Sequence, residues 1–189
     1  VDWHGDLQVR RAAFRYEPTA GSSFGEPSVD WLFVDPKLGV TWRVRPAVSL
    51  FASLGRSSRE PARTDLFAGA DDVDDAIAAD VLPLDRVRPE RVSDLEAGLR
   101  VERARVTLGL NAFAMWFRDE IAPIGAIAIT GSPLRRNVAR SQRIGLELDG
   151  RWHAAPSLEL TANATVMRAR IAEFTDETTA STYRDVRPL

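Results

Sequence analysis

Apolar and polar residues alternate with a period of two along most of this chain. From Val106 to Trp116 every second side chain is apolar, and the residues between them begin polar or small. The same pattern runs from Leu158 to Val166, where Leu, Ala and Val share one phase and Glu, Thr and Asn share the other. Because successive side chains of a strand point to opposite faces of its sheet, each segment predicts a β-strand with one apolar and one polar face.

Other segments extend this pattern. Four of them alternate in the same way, and they cover residues 37–44, 48–55, 94–102 and 144–149. Gly5–Glu17 is predicted as a strand with weaker alternation, whereas residues 18–35 carry the glycine, serine and proline content of a loop. Residues 185–189 look like the beginning of another strand. The chain is therefore predicted to be all-β, with about seven to eight antiparallel strands.

The connections indicate which kind of antiparallel protein this is. Strands that end near Arg45, Arg103 and Trp152 turn back at once, whereas the intervening connections, 56–92, 118–137 and 172–185, are long. Short turns at one end and long loops at the other are typical of outer-membrane barrels. Strands of ~10 residues with a rise of ~3.3 Å and a tilt of ~45° also span the ~25 Å apolar band of such barrels.

Tryptophan positions agree with a membrane barrel. Trp42 and Trp152 occupy the apolar phase beside short turns, and Trp116 occupies it beside a long connection. Aromatic girdles at the two membrane interfaces have this arrangement. No apolar run reaches the ~18 residues of a spanning helix, so any membrane crossing must use strands. We therefore predict an up-and-down transmembrane β-barrel.

Composition and termini bear on the size of the barrel. The 189 residues carry a net charge of −2 and no cysteine, which argues against a nucleic-acid binder, a disulfide framework or a thiolate metal site. The polar phase holds many charged residues, which suit a wide, wet lumen. No basic and apolar signal segment opens the chain at Val1. We therefore expect an internal fragment that supplies part of a larger barrel.

Five segments resemble, in order, motifs of the TonB-dependent outer-membrane receptors. They are Phe33 to Trp42 (FVDPKLGVTW), Ser49 to Phe67 (SLFASLGRSSREPARTDLF), Arg88 to Arg100 (RPERVSDLEAGLR), Phe113 to Ile121 (FAMWFRDEI) and Asn137 to Asp149 (NVARSQRIGLELD). The resemblance covers about residues 33–189. The chain departs from the family in carrying acidic residues from Asp71 to Asp75 and in lacking the plug and TonB box.

The resemblance implies active import. Such receptors bind a scarce ligand, typically a ferric siderophore, cobalamin or a glycan, in extracellular loops, and a plug blocks the lumen until TonB pulls it with proton-gradient energy. We therefore expect residues 1–189 to be part of a receptor barrel domain, with the plug and signal peptide outside this chain. The expected location is the outer membrane of a Gram-negative bacterium, and the expected partners are TonB and a ligand such as a ferric siderophore.

Arginines at the end of the long connections are candidate ligand-binding residues, because guanidinium groups pair with carboxylate or metal-chelate anions. The candidates are Arg59, Arg63, Asp65, Arg135 and Arg136.

Further arginines continue the apolar phase beyond the apolar band on the long-connection side. We expect them to form a basic collar that binds lipopolysaccharide phosphates; generic snorkelling of long side chains is the alternative. The collar consists of Arg56, Arg118, Arg140, Arg168 and Arg170.

Other functions have less support in the sequence. The acidic segment could bind Ca²⁺, but it lacks EF-hand spacing and is better explained as solvated surface. His4 and His153 are the only histidines, and no nucleophile elbow, phosphate loop or paired metal ligands accompany them, so we expect no enzyme and no resident cofactor or metal. Two alternatives remain, namely a small structural or adhesive barrel and a soluble β-sandwich binding module.

Overall fold

The computed structural model describes residues 1–18, 25–70, 73, 77, 81, 86–176 and 181–186. These form a single eight-stranded sheet in which every strand pairs antiparallel with its neighbour in the chain. The strands are β1 (Asp2–Arg15), β2 (Ser28–Arg45), β3 (Val48–Arg59), β4 (Glu90–Arg103), β5 (Val106–Ile127), β6 (Pro133–Ala155), β7 (Leu158–Asp176) and β8 (Ser181–Val186). One four-residue helix, α1 (Arg63–Leu66), follows β3. None of the helical structure described is long and apolar enough to cross a membrane.

The three short turns lie where they were predicted, but the strands are longer than the alternation indicated. Residues 28–35 were predicted as loop and instead pair with β1, with Val34 opposite Val9. Most of residues 118–137 were also predicted as loop and instead form the ends of β5 and β6. Alternation requires one face in hydrocarbon and one in water. Beyond the apolar band both faces meet water or other loops, so the strands continue without the pattern.

The strand register places the apolar phases of neighbouring strands on one face. Leu110 lies directly opposite Leu99 of β4 and Leu148 of β6, and Leu146 lies opposite Val166 of β7. Directly opposed residues of an antiparallel pair present their side chains on the same face. These side chains are exposed rather than packed into a core. The sheet therefore has a continuous apolar outer face with a polar face behind it.

Tryptophans mark one border of this outer face. Trp42 lies three residues before the end of β2, and Trp152 lies three residues before the end of β6. Trp3 pairs with Val40, in the neighbouring row of the same face. All three indole rings are exposed beside the short turns. This row is the aromatic girdle expected at one membrane interface.

Large side chains on the polar face lie over glycines of the next strand. Phe51 is directly opposite Gly98, and Phe113 is directly opposite Gly145. A Cβ atom built on Gly98 would stand 2.5 Å from Cζ of Phe51 and 2.3 Å from the carbonyl oxygen of Leu110. At Gly145 the same atom would stand 2.5 Å from Cζ of Phe113. Each phenyl ring therefore occupies space that only a glycine leaves open.

Gly98→Val is expected to destabilise the barrel by about 1–3 kcal/mol, because the new side chain must displace the Phe51 ring or the backbone. Urea unfolding of the full-length protein in liposomes measures the change. Gly5→Val is the matched control, since a Cβ atom on Gly5 would meet nothing closer than 3.8 Å. Equal losses for the two variants would show that the close packing at Gly98 does not contribute to stability.

Most of the buried apolar residues lie at the long-loop end, and Phe113 on the polar face of β5 is an exception. The phenyl ring of Phe67 is 4.8 Å from the ring of Tyr16 and 5.5 Å from that of Phe14, measured between centroids. The Tyr16 hydroxyl accepts a hydrogen bond of 2.9 Å from the backbone N–H of Val73. We name this assembly the loop cluster; its buried members are Tyr16, Leu66, Phe67, Val73, Val81 and Val87.

The loop cluster is continuous with the hairpin between β5 and β6. Ala68 packs in a buried group with Ala128 and Leu134 of that hairpin. The Thr130 hydroxyl donates a hydrogen bond of 2.7 Å to the carbonyl oxygen of Ala68. The connection from β3 to β4 is thus attached both to the β1–β2 end of the sheet and to the β5–β6 hairpin. We name the loop cluster, together with the buried group of Ala68, Ala128 and Leu134, the platform; it lies at the long-loop end of the strands.

Candidate functional site

Three of the five predicted ligand-binding residues meet at the edge of this platform. Nη1 of Arg59 lies 3.7 Å from Oδ2 of Asp65, and Nη1 of Arg135 lies 3.7 Å from Oδ1 of the same carboxylate. The Asp65 side chain is 1% exposed, whereas those of Arg59 and Arg135 are 46% and 41% exposed. A buried carboxylate therefore holds two guanidinium groups whose outer faces remain open to solvent.

The local sequence explains why Asp65 is buried and oriented. It is the third residue of α1, and its Oδ2 atom accepts a hydrogen bond of 2.9 Å from the backbone N–H of Ala62. This contact satisfies one of the backbone groups that a helix start leaves unpaired. The Oδ1 atom is buried and has no hydrogen-bond partner within the described part of the chain. The two arginines balance the negative charge of this carboxylate through space, with nitrogen–oxygen separations of 3.7 Å.

The other two predicted residues lie near this group but outside its ion pairs. Arg63 begins α1 and is exposed. Arg136 follows Arg135 on β6, and its Nη1 atom donates a hydrogen bond of 2.9 Å to the carbonyl oxygen of Arg135. Both add positive charge at the same end of the sheet.

Two carboxylates that the sequence did not single out complete the site. Glu90, at the start of β4, lies 3.3 Å from Nη2 of Arg59 and accepts a hydrogen bond of 2.9 Å from the backbone N–H of Ile121. Glu120 accepts hydrogen bonds from Ser141 and Arg143. A cavity of about 260 Å³ lies beside Glu120, and Arg135 and Arg143 are among its lining residues. Arg135 thus connects the Asp65 ion pairs to the cavity.

Further contacts hold this end of the sheet in shape. The Asn137 side chain exchanges two hydrogen bonds with the backbone of Arg88, at 2.9 and 2.8 Å, and donates a third of 2.7 Å to the carbonyl oxygen of Asp119. Asn137 belongs to one of the segments that carry the family resemblance, but the segment does not indicate this role. Arg10 hydrogen-bonds to Glu60 and lowers the pKa of that carboxyl group.

The net charge of the site favours an anion. Within the described residues, the five arginines of this site outnumber its three carboxylates, Asp65, Glu90 and Glu120; the arginines are Arg59, Arg63, Arg135, Arg136 and Arg143. Exposed guanidinium groups form charge-assisted, often bidentate hydrogen bonds with carboxylate or phosphate groups. The acidic residues Asp71, Asp72, Asp74 and Asp75 fall outside the described residues, so the prediction for that segment stays open.

The arginines predicted to form a collar continue the phase of the apolar face, as expected, but they do not share one level. Arg118 and Arg170 each lie twelve residues from the short-turn ends of their strands, and Arg140 lies fifteen residues from its end. Arg168 lies ten residues and Arg56 only eight residues from the corresponding ends. The last two are therefore nearer the middle of the apolar face.

Comparison with known proteins agrees with this architecture. The sequence matches the family described as TonB dependent receptor-like, beta-barrel, over residues 2–187. The chain therefore belongs to the TonB-dependent receptor β-barrel family. No curated relative matches it. Barrels of this family are outer-membrane proteins of Gram-negative bacteria, which excludes the alternative of a soluble sandwich.

Solved structures show the same fold. The copper transporter OprC superimposes with a TM-score of 0.70 at 17% identity, over 89% of this chain and 26% of that one. The ferric yersiniabactin uptake receptor FyuA from Yersinia pestis gives 0.61 at 18% identity, over 88% and 24%. The ferric-catecholate import receptor Fiu from Escherichia coli K12 gives 0.64 at 12% identity, over 95% and 27%. The chain thus spans about a quarter of the length of these receptors and corresponds to part of their barrel.

Proposed function

We propose that this chain is part of the barrel of an importer that takes up an anionic metal chelate, a ferric siderophore, with energy delivered by TonB. The observation that carries the proposal is the pair of half-exposed arginines, Arg59 and Arg135, held by the buried Asp65. The family match supports the receptor class. Solved relatives described as ferric yersiniabactin and ferric-catecholate receptors support an iron chelate, and the copper transporter supports a metal cargo more generally.

The site is suited to capture an anion without a large rearrangement. Asp65 fixes the two guanidinium groups before the ligand arrives, so little side-chain entropy is lost when it binds. The 3.7 Å separations leave the guanidinium N–H groups available to stronger acceptors. A carboxylate or catecholate oxygen of the chelate would accept these hydrogen bonds on the exposed side. The loop cluster includes Leu66, the residue after Asp65 in α1, and so helps to hold the Asp65 carboxylate in place.

Transport requires parts that lie outside this chain. In this proposal residues 1–189 contribute strands to a larger barrel in the outer membrane, and a plug domain and signal peptide are encoded elsewhere in the same protein. TonB acts on the plug, whereas the described loops bind the ligand. The protein carries its cargo without chemical change and is a transporter rather than an enzyme.

Uptake and binding are therefore expected to respond differently to the proton gradient. In cells that express the full-length receptor, a protonophore should reduce uptake of a radioiron-labelled ferric chelate to the level of cells lacking the receptor. Binding to the cell surface should persist, because the loops need no energy to bind. Ferric catecholate and ferric hydroxamate chelates serve as the probes.

Two results would contradict the proposal. Undiminished uptake in the presence of the protonophore would make a passive porin the better explanation. Receptor-dependent uptake of free copper, without binding of any ferric chelate, would retain the transporter class and overturn the siderophore assignment.

A further inference from the structure

Three arginines lie side by side on three adjacent strands of the sheet, β4, β5 and β6. Arg91 of β4 is directly opposite Arg118 of β5, and Arg118 is directly opposite Arg140 of β6. Directly opposed residues place their Cβ atoms about 4.5–5.5 Å apart on the same face. All three residues are exposed, and they continue the phase that carries the apolar side chains lower on the same strands. We name these three residues the arginine row.

The side chains of the arginine row form no ion pair or hydrogen bond with any residue that the structure describes. Glu173 of β7 lies opposite Arg140, but its carboxylate pairs with Arg184 of β8 at 3.9 Å. Arginines at the ligand site differ in this respect, because Arg59 and Arg143 both contact carboxylates. Like charges directly opposite each other destabilise a sheet. Three adjacent guanidinium groups without a counter-charge therefore create a site for an external anion.

The height of the row identifies the source of that anion. Arg91 and Arg118 each lie twelve residues from the short-turn ends of their strands, and Arg140 lies twelve residues from Trp152, which is opposite the first residue of β5. With a rise of ~3.3 Å and a tilt of ~45°, this corresponds to about 28 Å along the membrane normal, just above an apolar band of ~25 Å. Trp116 lies two residues below Arg118 on the same face. The row therefore stands where lipid headgroups of the outer leaflet begin.

We infer that the arginine row binds the phosphate groups of lipopolysaccharide, the phosphorylated lipid of the outer leaflet. Guanidinium groups offer bidentate hydrogen bonds to phosphate, and the apolar face directly below can accept acyl chains. This inference does not depend on which ligand the receptor imports.

The row revises the collar expected from the sequence. The arginine row includes Arg91, which was not part of the expected collar. The alternation indicated β4 only from Asp94 onward, whereas the strand begins at Glu90.

The arginine row omits Arg56, Arg168 and Arg170, which lie opposite Ser93, Ile144 and Gln142 and therefore below the row in the strand register. Their long stems can run along the apolar face to bring their charges to water. Arg56 and Arg168 consequently provide a control with the same loss of charge.

The test compares two double variants of the full-length receptor, purified in mild detergent from Gram-negative cells. Arg118→Gln with Arg140→Gln removes two members of the row, and Arg56→Gln with Arg168→Gln removes two outward arginines at lower positions. Native mass spectrometry counts the lipopolysaccharide molecules retained by each protein. We expect the native protein and the control variant to retain lipopolysaccharide and the row variant to lose it.

A second measurement separates phosphate binding from other sources of affinity. Thermal unfolding is recorded with added lipopolysaccharide, with the same lipid stripped of its phosphates, and with inorganic phosphate. Intact lipopolysaccharide alone should raise the melting temperature of the native protein, and the row variant should show no increase. Equal lipid retention by the two double variants would overturn the inference. So would an increase produced equally by the dephosphorylated lipid or by inorganic phosphate alone.

Discussion

Replacing Leu110 with arginine is expected to destabilise the full-length barrel by about 2–4 kcal/mol, the cost of an arginine near the middle of a lipid-facing surface. Leu110 is exposed on the apolar face, between Leu99 and Leu148 of the neighbouring strands. Membrane hydrocarbon cannot hydrate the guanidinium group, so the side chain must bend toward an interface or draw in water. Urea titration in liposomes and heat-modifiable gel migration measure the loss.

Asn111→Arg is the matched control for this experiment. Asn111 is the next residue of β5, it lies on the polar face, and it is directly opposite Glu147. An arginine there would meet water and a carboxylate, so its cost should be far smaller. Equal destabilisation by the two variants would show that the apolar phase does not face lipid.

Phe67→Ala is expected to unfold the loop cluster while the barrel remains intact. Phe67 is 1% exposed and contacts the rings of Phe14 and Tyr16. Truncation of a buried phenylalanine typically costs about 3–5 kcal/mol. Because this core lies above the strands and not between them, the loss should stay local. The loops should become sensitive to protease, and binding of the ferric chelate should fall.

Ile129→Ala provides the comparison, because Ile129 lies on the β5–β6 hairpin with 68% of its surface exposed. It removes apolar atoms beside the platform without opening a buried cavity. Limited proteolysis reports on the loops, and heat-modifiable migration reports on the barrel. Loss of the barrel in Phe67→Ala, or full chelate binding by unfolded loops, would contradict the role assigned to the cluster.

The membrane-spanning part of the fold was predictable because a lipid bilayer imposes alternation directly on the sequence. Leu108 and Leu110 needed no tertiary information to be assigned outward. The same rule failed for residues 28–35 and for the ends of β5 and β6, where no hydrocarbon faces the sheet. There the strands are stabilised by backbone pairing with their neighbours, which leaves little trace in residue type.

The candidate site was predictable only in part. Arginine content at the long-connection end indicated Arg59 and Arg135 as candidates, but it could not show that both lie beside Asp65. That contact depends on how α1 packs against β6, between residues 70 positions apart in the chain. Glu90 and Glu120 lie within segments that resemble the family, but those segments do not indicate their ion pairs. Their roles come from the register of β4 and β5, which the alternation does not specify beyond the apolar band.

The loop cluster also has a consequence for the order in which the protein assembles. Every strand pairs with the next one in sequence, so each hairpin needs only a short segment of chain to close and can form as soon as that segment is available. The loop cluster instead joins Tyr16 to Val73 and Ala68 to Thr130, which are 57 and 62 residues apart. These contacts can form only after β1 to β6 have come together. The ion pairs of Asp65 with Arg59 and Arg135 therefore form late, so a misregistered or partly inserted sheet would lack the complete site proposed to bind the ligand.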